Sequence, residues 1–388
     1  MEQRKVFPKE EYEVRISKLQ KLIAKNDMDG ILVTQPENLI YFSGYRTGLY
    51  NSKFRPFLCF IPVEGSPTLV LPNLELGLGR QTSYIEDIRC WGGTPECQGT
   101  DPVALTADVI KAFRKNKSKI GIEMDNGQRM GMNMAQFDEL RSLLSNVSFV
   151  PSSGPIWKLR SVKSLLEIQY MKEACRITDK AIEAAVDFIQ EGRSEKEVSM
   201  VLGMTMMKEG ADFPRSLSIS SGVGNYDVIN GLSTDRQFKK GDMINIDFGA
   251  LYKGYCSDIT RSLFVGNPSE RQKAFYLASK QIQEQACKAV RPGISVSEVD
   301  RVAEQTIIYL GYRDYMLHRT GHSLGLEVHE PPSIGPVDTT VIAEGMILAI
   351  EPGIYDFSIG AFRVEDNVVV TSNGFEYLSN FTREIVIK

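Results

Sequence analysis

INIDFGALYKGYCSDITR, residues 244–261, is the stretch that decides the fold. Two short runs of apolar, aromatic and β-branched residues flank a Lys-Gly pair, a pattern typical of an antiparallel hairpin. With the turn centred between Tyr252 and Lys253, Asp247 lies directly opposite Asp258. Facing like charges destabilise a sheet by up to about 1 kcal/mol even where water screens them. A cation between the carboxylates would replace this repulsion with ligation. A solvated pair, or a register shifted by one residue, is the alternative.

A second pair of acids repeats this arrangement later in the chain. An apolar run ends at Glu351, and a second run returns to Glu365. If the two runs pair about Ser358, Glu351 faces Glu365. Nearby arginines would neutralise four carboxylates only in part, whereas two divalent ions would balance their formal charge. Two unrelated surface pairs are the alternative.

The three histidines of the chain lie close together, at His318, His322 and His329. The glycines between them permit a close approach of the backbone. A lone histidine is usually structural, but in a cluster one imidazole can ligate a metal while others bind substrate or move protons. Hard oxygen ligands with one imidazole suit Mn, Co, Fe or Zn.

Bulk properties exclude several classes of protein. The chain has 388 residues and a formal charge of −4, without a basic run that would indicate nucleic-acid binding. No apolar run is long enough to span a membrane, and the charged N-terminus lacks the apolar core of a signal peptide. The six cysteines are widely spaced, with no CxxC motif. Free thiols in a reducing cytoplasm are therefore expected.

The order of elements predicts two domains, residues 1–155 and residues 156–388. Alternating strands and helices in the first part predict an α/β domain, and helices on an antiparallel sheet in the second predict α+β. Residues 151–155, rich in Pro, Ser and Gly, are the expected linker, and Ser164 can cap a long helix. Helices are predicted at residues 10–26, 101–115, 133–144, 165–190, 195–208, 272–290 and 296–310. Strands are predicted at residues 30–34, 57–62, 68–71, 120–122, 215–220, 346–351 and 362–370 and in the C-terminal tail, besides the first hairpin.

These residues resemble a known family. The order Asp247, Asp258, His322, Glu351 and Glu365 is similar to the metal-binding pentad of the pita-bread metallopeptidases, which include methionine aminopeptidase, aminopeptidase P and prolidase. The surrounding motifs are DFGA, GHSLGLEVHE, EPGIY and RVED. The N-terminal part and the LRSVKS junction resemble the prolidase, aminopeptidase P and creatinase branch. The resemblance implies a pita-bread catalytic domain preceded by a smaller creatinase-type N-terminal domain.

The resemblance also implies roles for the metal ligands. Asp247 would bind one ion with both oxygens, and Asp258 and Glu365 would bridge two ions. His322 and Glu351 would complete the two separate coordination shells. The implied cofactors are two divalent ions per chain, with manganese as the first expectation and Co, Zn or Fe as alternatives.

Further residues are implied to act on the substrate. The expected catalytic residues are Glu351, as a base toward water, together with His329, His318 and Arg363. His318, His329 and Tyr355 are expected to contact the substrate, and His329 also the developing oxyanion. The implied reaction is hydrolysis of Xaa-Pro dipeptides or N-terminal Xaa-Pro bonds by a homodimer acting on a small or short-peptide substrate.

One position departs from the family pattern. In the segment SGVGNYDVING, residues 221–231, Asn230 stands where these peptidases usually carry a histidine. Asparagine forms hydrogen bonds but does not titrate, so Asn230 is expected to contact the substrate without acting as a base. The alternatives are a creatinase- or ectoine-hydrolase-like enzyme acting on a non-peptide C–N bond, or a sulfoniopropionate-lyase-like enzyme. A metal-free binding protein is the non-enzymatic alternative, and the intact pentad weighs against it.

Overall fold

The structure is a computed structural model that describes residues 4–52, 54–113 and 118–388. The chain divides into two compact units, Met1–Arg160 and Ser161–Lys388. The predicted linker is instead ordered: a strand ends at Pro151, and Ser153–Arg160 is a helix. Pro155 lies in the first turn of this helix, where its missing N–H leaves no helical hydrogen bond unmade. The boundary between the units therefore falls five residues later than the composition suggested.

The first unit is a mixed sheet with helices, as the alternating pattern predicted. Its helices are α1 (Lys9–Lys25), α2 (Pro36–Ser43), α3 (Leu76–Thr82), α4 (Pro102–Phe113), α5 (Met134–Leu143) and α6 (Ser153–Arg160). Its strands are β1 (Gly30–Val33), β2 (Leu58–Pro62), β3 (Thr68–Pro72), β4 (Asp87–Trp91), β5 (Ser118–Ile122) and β6 (Val147–Pro151). The order across the sheet is β4-β3-β2-β1-β5-β6, and β1, β5 and β6 run parallel. Residues 114 and 115 of the helix predicted at residues 101–115, and residues 1–3, lie outside the described residues.

The prediction of free thiols is wrong for one pair of cysteines. Cys90 and Cys97 form a disulfide, with their Cα atoms 4.7 Å apart. Gly92 and Gly93 both have positive φ angles, which turn the chain back after β4 and bring Cys97 beside Cys90. The other four cysteines are free and buried.

The second unit contains two helix pairs and the strands that carry the predicted site. Its helices are α7 (Leu165–Phe188), α8 (Glu195–Lys208), α9 (Glu270–Ala289) and α10 (Val296–Tyr309). Its first sheet contains β7 (Phe213–Ser221), β8 (Met243–Tyr252), β9 (Tyr255–Cys256) and β10 (Ile259–Phe264). Its second sheet contains β11 (Gly321–Ser323), β12 (Glu330–Ile334), β13 (Ile347–Ile350), β16 (Asp366–Val370) and β17 (Phe375–Tyr377), and β14 (Gly353–Asp356) pairs with β15 (Gly360–Arg363).

Each helix pair packs on one sheet. Ile177 of α7 and Leu202 of α8 share a core with Ile246 of β8. Ile282 of α9 packs in the core that also holds Leu348 of β13. This arrangement confirms the α+β class of the second unit. Among the described residues, no helix combines the length and the apolarity needed to cross a membrane.

The first hairpin forms as predicted, but its turn lies one residue later. Lys253 and Gly254 have φ angles of 52° and 85° and form a two-residue loop of the kind that matches strand twist. Asp247 is therefore paired with Thr260 rather than with Asp258. Moving the turn by one residue changes the partner by two positions, so Asp258 remains on the same face as Asp247.

The register of the second hairpin is confirmed. Gly353 pairs with Arg363 and Ile350 pairs with Asp366, so both ladders are centred on Ser358. Glu351 and Glu365 occupy facing positions in the gap between the two ladders. The strand predicted over residues 362–370 is interrupted there, since β15 ends at Arg363 and β16 begins at Asp366. Glu365 therefore lies between two strands rather than within one.

Candidate active site

The two hairpins and β11 bring the predicted ligands together. Donor atoms of Asp247, Asp258 and Glu365 lie within 4.8 Å of one another, and so do those of His322, Glu351 and Glu365. Asp258 and His322 form a third such group with His329. The structure therefore gathers all five predicted ligands, with Asp258, His322 and Glu365 each shared by two groups.

The acids of this cluster repel one another. Burial, followed by the charges of Glu365 and Asp247, raises the pKa of Asp258 well above its ordinary value. Burial, followed by Glu351 and Asp247, does the same to Glu365. The Glu365 Oε1 atom is buried and has no hydrogen-bond partner among the residues that the structure describes. Because a buried carboxylate oxygen without a partner is costly, these side chains fit a cation.

His322 gives a second indication of a cation. Its Nδ1 lies 3.0 Å from the carbonyl oxygen of Ser323 and therefore donates its proton there. Its Nε2 faces Glu351 Oε1 at 3.4 Å and Asp258 Oδ2 at 3.6 Å. In the metal-free fold a proton on Nε2 is donated to these acids, and a metal ion would take the lone pair of Nε2 in place of that proton.

Arg363 neutralises part of the negative charge. Its guanidinium donates to Asp247 Oδ2 and, through Nε, to the hydroxyl of Thr260 at 3.0 Å. That hydroxyl in turn donates to Glu365 Oε2 at 2.5 Å. Burial raises the pKa of Asp247 although Arg363 opposes this effect. One arginine against four acids leaves the cluster undercompensated.

A cavity of about 430 Å³ opens onto the cluster, which is a size suited to a dipeptide-like molecule. Eight of the ten predicted site residues line it: Asn230, Asp247, Asp258, His318, His322, His329, Glu351 and Arg363. Glu365 lies behind them in the cluster. Tyr355 is buried, and its hydroxyl contacts His318 Nε2 at 2.6 Å. The structure thus brings every predicted site residue to one place.

The histidines and Glu351 differ in protonation. Desolvation, followed by the charge of His322, lowers the pKa of His329 to about 4. Burial also lowers the pKa of His318, and its Nδ1 donates to the Arg319 carbonyl oxygen at 2.7 Å. Although burial raises the pKa of Glu351, its hydrogen bond with His322 and the charge of Arg363 lower it to about 2. Near neutral pH the site therefore offers the neutral imidazoles of His318 and His329 beside the ionised carboxylate of Glu351.

Sequence reasoning missed two residues that orient the ligands. The side-chain amide of Asn367 accepts from the backbone N–H of Asp258 at 2.9 Å and donates to its carbonyl oxygen at 2.8 Å. Thr260 bridges Arg363 and Glu365, as described above. Thr260 could have been found, because it follows Asp258 by two residues and pairs with Asp247 in the first hairpin. Asn367 gave no signal, since its contact joins segments more than a hundred residues apart.

Comparison with known proteins gives a consistent result. Residues 169–372 match metallopeptidase family M24, and residues 15–162 match the creatinase/prolidase N-terminal domain. The chain is 34% identical over 373 residues to the Xaa-Pro dipeptidase of Pyrococcus furiosus, covering 96% of this chain and 99% of that protein. It is similar to the solved prolidase from Pyrococcus horikoshii OT3, with 33% identity, a TM-score of 0.83 and coverage of 96% and 100%. For the solved Xaa-Pro dipeptidase from Bacillus anthracis the identity is 30%, the TM-score 0.86 and the coverage 97% and 100%.

Proposed function

Because the chain belongs to metallopeptidase family M24, we propose that it hydrolyses the bond before proline in Xaa-Pro dipeptides or at the N-terminus of short peptides. The observation that carries this proposal is the undercompensated cluster of four acids and one imidazole at the base of a dipeptide-sized cavity. The similar proteins described above are named Xaa-Pro dipeptidase or prolidase, which supports the choice of substrate.

Asp247, Asp258, His322, Glu351 and Glu365 would hold two divalent ions. Bound ions of this kind supply Lewis acidity and lower the pKa of water toward neutrality. Asp258 and Glu365 are the two carboxylates shared between donor groups, which supports their assignment as bridging ligands. His322 is shared too, but its Nδ1 bonds to Ser323, so it offers a single nitrogen to one ion. Manganese suits a set of carboxylates with one imidazole, and cobalt, zinc or iron can replace it.

The protein's own residues move the protons and hold the substrate. Glu351, which is ionised near neutral pH, takes a proton from the attacking water and returns it to the leaving nitrogen. Neutral His329 donates a hydrogen bond to the oxyanion that develops at the attacked carbonyl. Tyr355 donates to His318 and fixes the imidazole that faces the cavity. Arg363 holds Asp247 in place.

This proposal is tested with metal-depleted protein, to which manganese or cobalt is returned. We expect the reloaded protein to release proline from Ala-Pro and the depleted protein to release almost none. The contradictory outcome is proline release that survives thorough chelation. A matched control is Glu376→Gln, a surface acid with a half-exposed side chain, which should leave the metal response unchanged.

Asn230 supports a second candidate function. It lines the cavity where the family pattern expects a histidine, so hydrolysis of a non-peptide C–N bond, or elimination from a sulfoniopropionate, is the alternative. Panels of cyclic amidines, amides and sulfonium compounds distinguish these reactions from proline release. A sharp rise in proline release by Asn230→His would favour the peptidase, and activity on the other panels alone would favour the alternative.

We also propose that the protein is a homodimer and cytoplasmic. The four free cysteines support a reducing location, whereas the Cys90–Cys97 disulfide weakens that reasoning. Light scattering of the purified protein tests the dimer, and fractionation of cells tests the location.

A further inference from the structure

Arg319 lies in the wall of the catalytic cavity. Its side chain is partly buried, and its Nε is fully buried without a hydrogen-bond partner. Two other arginines also have a buried, unpartnered Nε, but Arg160 donates to Asn38 and Arg193 donates to Glu197. Within the described parts of the chain, no acid or hydrogen-bond acceptor pairs with the Arg319 guanidinium.

The stem of Arg319 is held by packing. A Cβ atom placed on Gly335 would lie 3.3 Å from the Arg319 Cβ and 3.5 Å from its Cδ, so the missing side chain at residue 335 makes room for this stem. The Arg319 carbonyl oxygen accepts the proton of His318 Nδ1. The positive charge of the Arg319 guanidinium, added to the effect of burial, helps to lower the pKa of both His318 and His329. The guanidinium is therefore near the two histidines that are proposed to contact the substrate.

A partly desolvated guanidinium is stabilised by an anion, and its fork of donors fits a carboxylate through two parallel hydrogen bonds. Each carboxylate that lines the cavity already faces another positively charged or imidazole side chain. Asp247 pairs with Arg363, and Asp258 and Glu351 face His322. No carboxylate that lines the cavity is thus left to pair with Arg319, which makes the carboxylate of a bound molecule a suitable partner.

We propose that Arg319 binds the free carboxylate of the substrate and so restricts the site to dipeptides, an inference that rests on the proposed Xaa-Pro hydrolysis. In a dipeptide the carboxylate lies one residue beyond the scissile bond, within about 3.5 Å of chain. In a longer peptide a neutral amide replaces it at that position. Arg319 thus favours the dipeptidase form of the proposed activity over the aminopeptidase form.

The test compares Ala-Pro, Ala-Pro-amide and Ala-Pro-Ala as substrates of the metal-loaded protein. We expect the KM of wild type to be lowest for Ala-Pro. Arg319→Met should raise the KM for Ala-Pro by roughly tenfold to a hundredfold, with a small change in kcat and little effect on Ala-Pro-amide. Arg319→Lys keeps the positive charge but lacks the paired N–H donors of the guanidinium, and it should give an intermediate KM. Arg215→Met is the matched control, since it removes an exposed arginine whose charge also reaches His329.

Two results would overturn the assignment: equal efficiency of wild type on all three substrates, or an equal loss on all three in Arg319→Met. Metal content and thermal unfolding of each variant show whether the site and fold are intact.

Calorimetry separates this inference from the proposed function. Metal-loaded wild type should bind proline more tightly than prolinamide, and Arg319→Met should lose that preference. If no proline peptide is cleaved but this preference is present, the proposed reaction fails while the carboxylate site stands. If the preference is absent or survives in Arg319→Met, the carboxylate site is wrong whatever the enzyme cleaves.

Discussion

Glu365 shows most clearly why the cluster requires a cation. One of its carboxylate oxygens accepts from Thr260, and the other is buried without a partner. Burial and the charges of Glu351 and Asp247 raise its pKa, so its charged form is unfavourable in the metal-free fold. A divalent ion reverses this balance because it favours the ionised carboxylate.

The raised pKa of Glu365 contributes to the pH dependence of metal-free stability. Its contribution is fully present below the unfolded pKa of about 4.3 and is lost as the pH rises through the higher folded value. We expect metal-free Glu365→Gln to melt about 2–4 °C above metal-free wild type near pH 7, with a smaller difference near pH 4.5. With manganese the order should reverse. Calorimetric melting at both pH values checks this, and a constant difference across pH would contradict it.

At the scale of elements, the two hairpins differ in how well the sequence predicted them. Both ladders of the second hairpin follow the register about Ser358, because the Gly and Ser residues around that turn are clear signals. The turn of the first hairpin lies one residue later than predicted, because Lys253 adopts a left-handed conformation. This conformation is uncommon for lysine. The acids still meet, since a change of two positions preserves the face of the strand.

Gly249 places Asp258 through a close approach of two strands. A Cβ atom at Gly249 would lie 2.0 Å from the carbonyl oxygen of Ser257, so Gly249→Ala must displace the segment that carries Asp258. We expect this variant to weaken manganese binding by about tenfold or more while the protein stays folded. Titration calorimetry measures the affinity. The control Gly203→Ala lies in α8, where the added Cβ meets ordinary contacts at 3.5 Å, and it should bind manganese as wild type does. Equal affinity in both variants would show that Gly249 has no such role.

For the whole molecule, local patterns predicted the two-part fold and the residues of the site, but not every partner. The N-cap at Ser164 was predictable and is present as a capping box with Glu167. The helix α2, the strands β4 and β6 and the Cys90–Cys97 disulfide were not predicted, because short elements and glycine turns carry weak periodicity. Asn367 acts through a tertiary contact with the backbone of Asp258, which leaves no mark on the local sequence.

All predicted ligands lie in Ser161–Lys388, so metal binding should protect one unit selectively. We expect added manganese to slow amide hydrogen exchange most in β8, β10, β11 and β13, because a ligand that binds only the folded state opposes local opening. Exchange in the sheet of Met1–Arg160 should change much less. Exchange mass spectrometry at matched pH gives the comparison, and equal protection of both units would contradict this localisation.

The most direct test of the account is the metal content of the purified protein beside that of Asp258→Asn and of Asp235→Asn, an exposed acid outside the site. After manganese loading and removal of free ions, elemental analysis should find about two ions per chain in wild type and in Asp235→Asn. It should find fewer in Asp258→Asn, with proline release falling in parallel. Less than about one ion per chain in fully loaded wild type, or an unchanged content in Asp258→Asn, would contradict the claim that these acids exist to hold a metal pair.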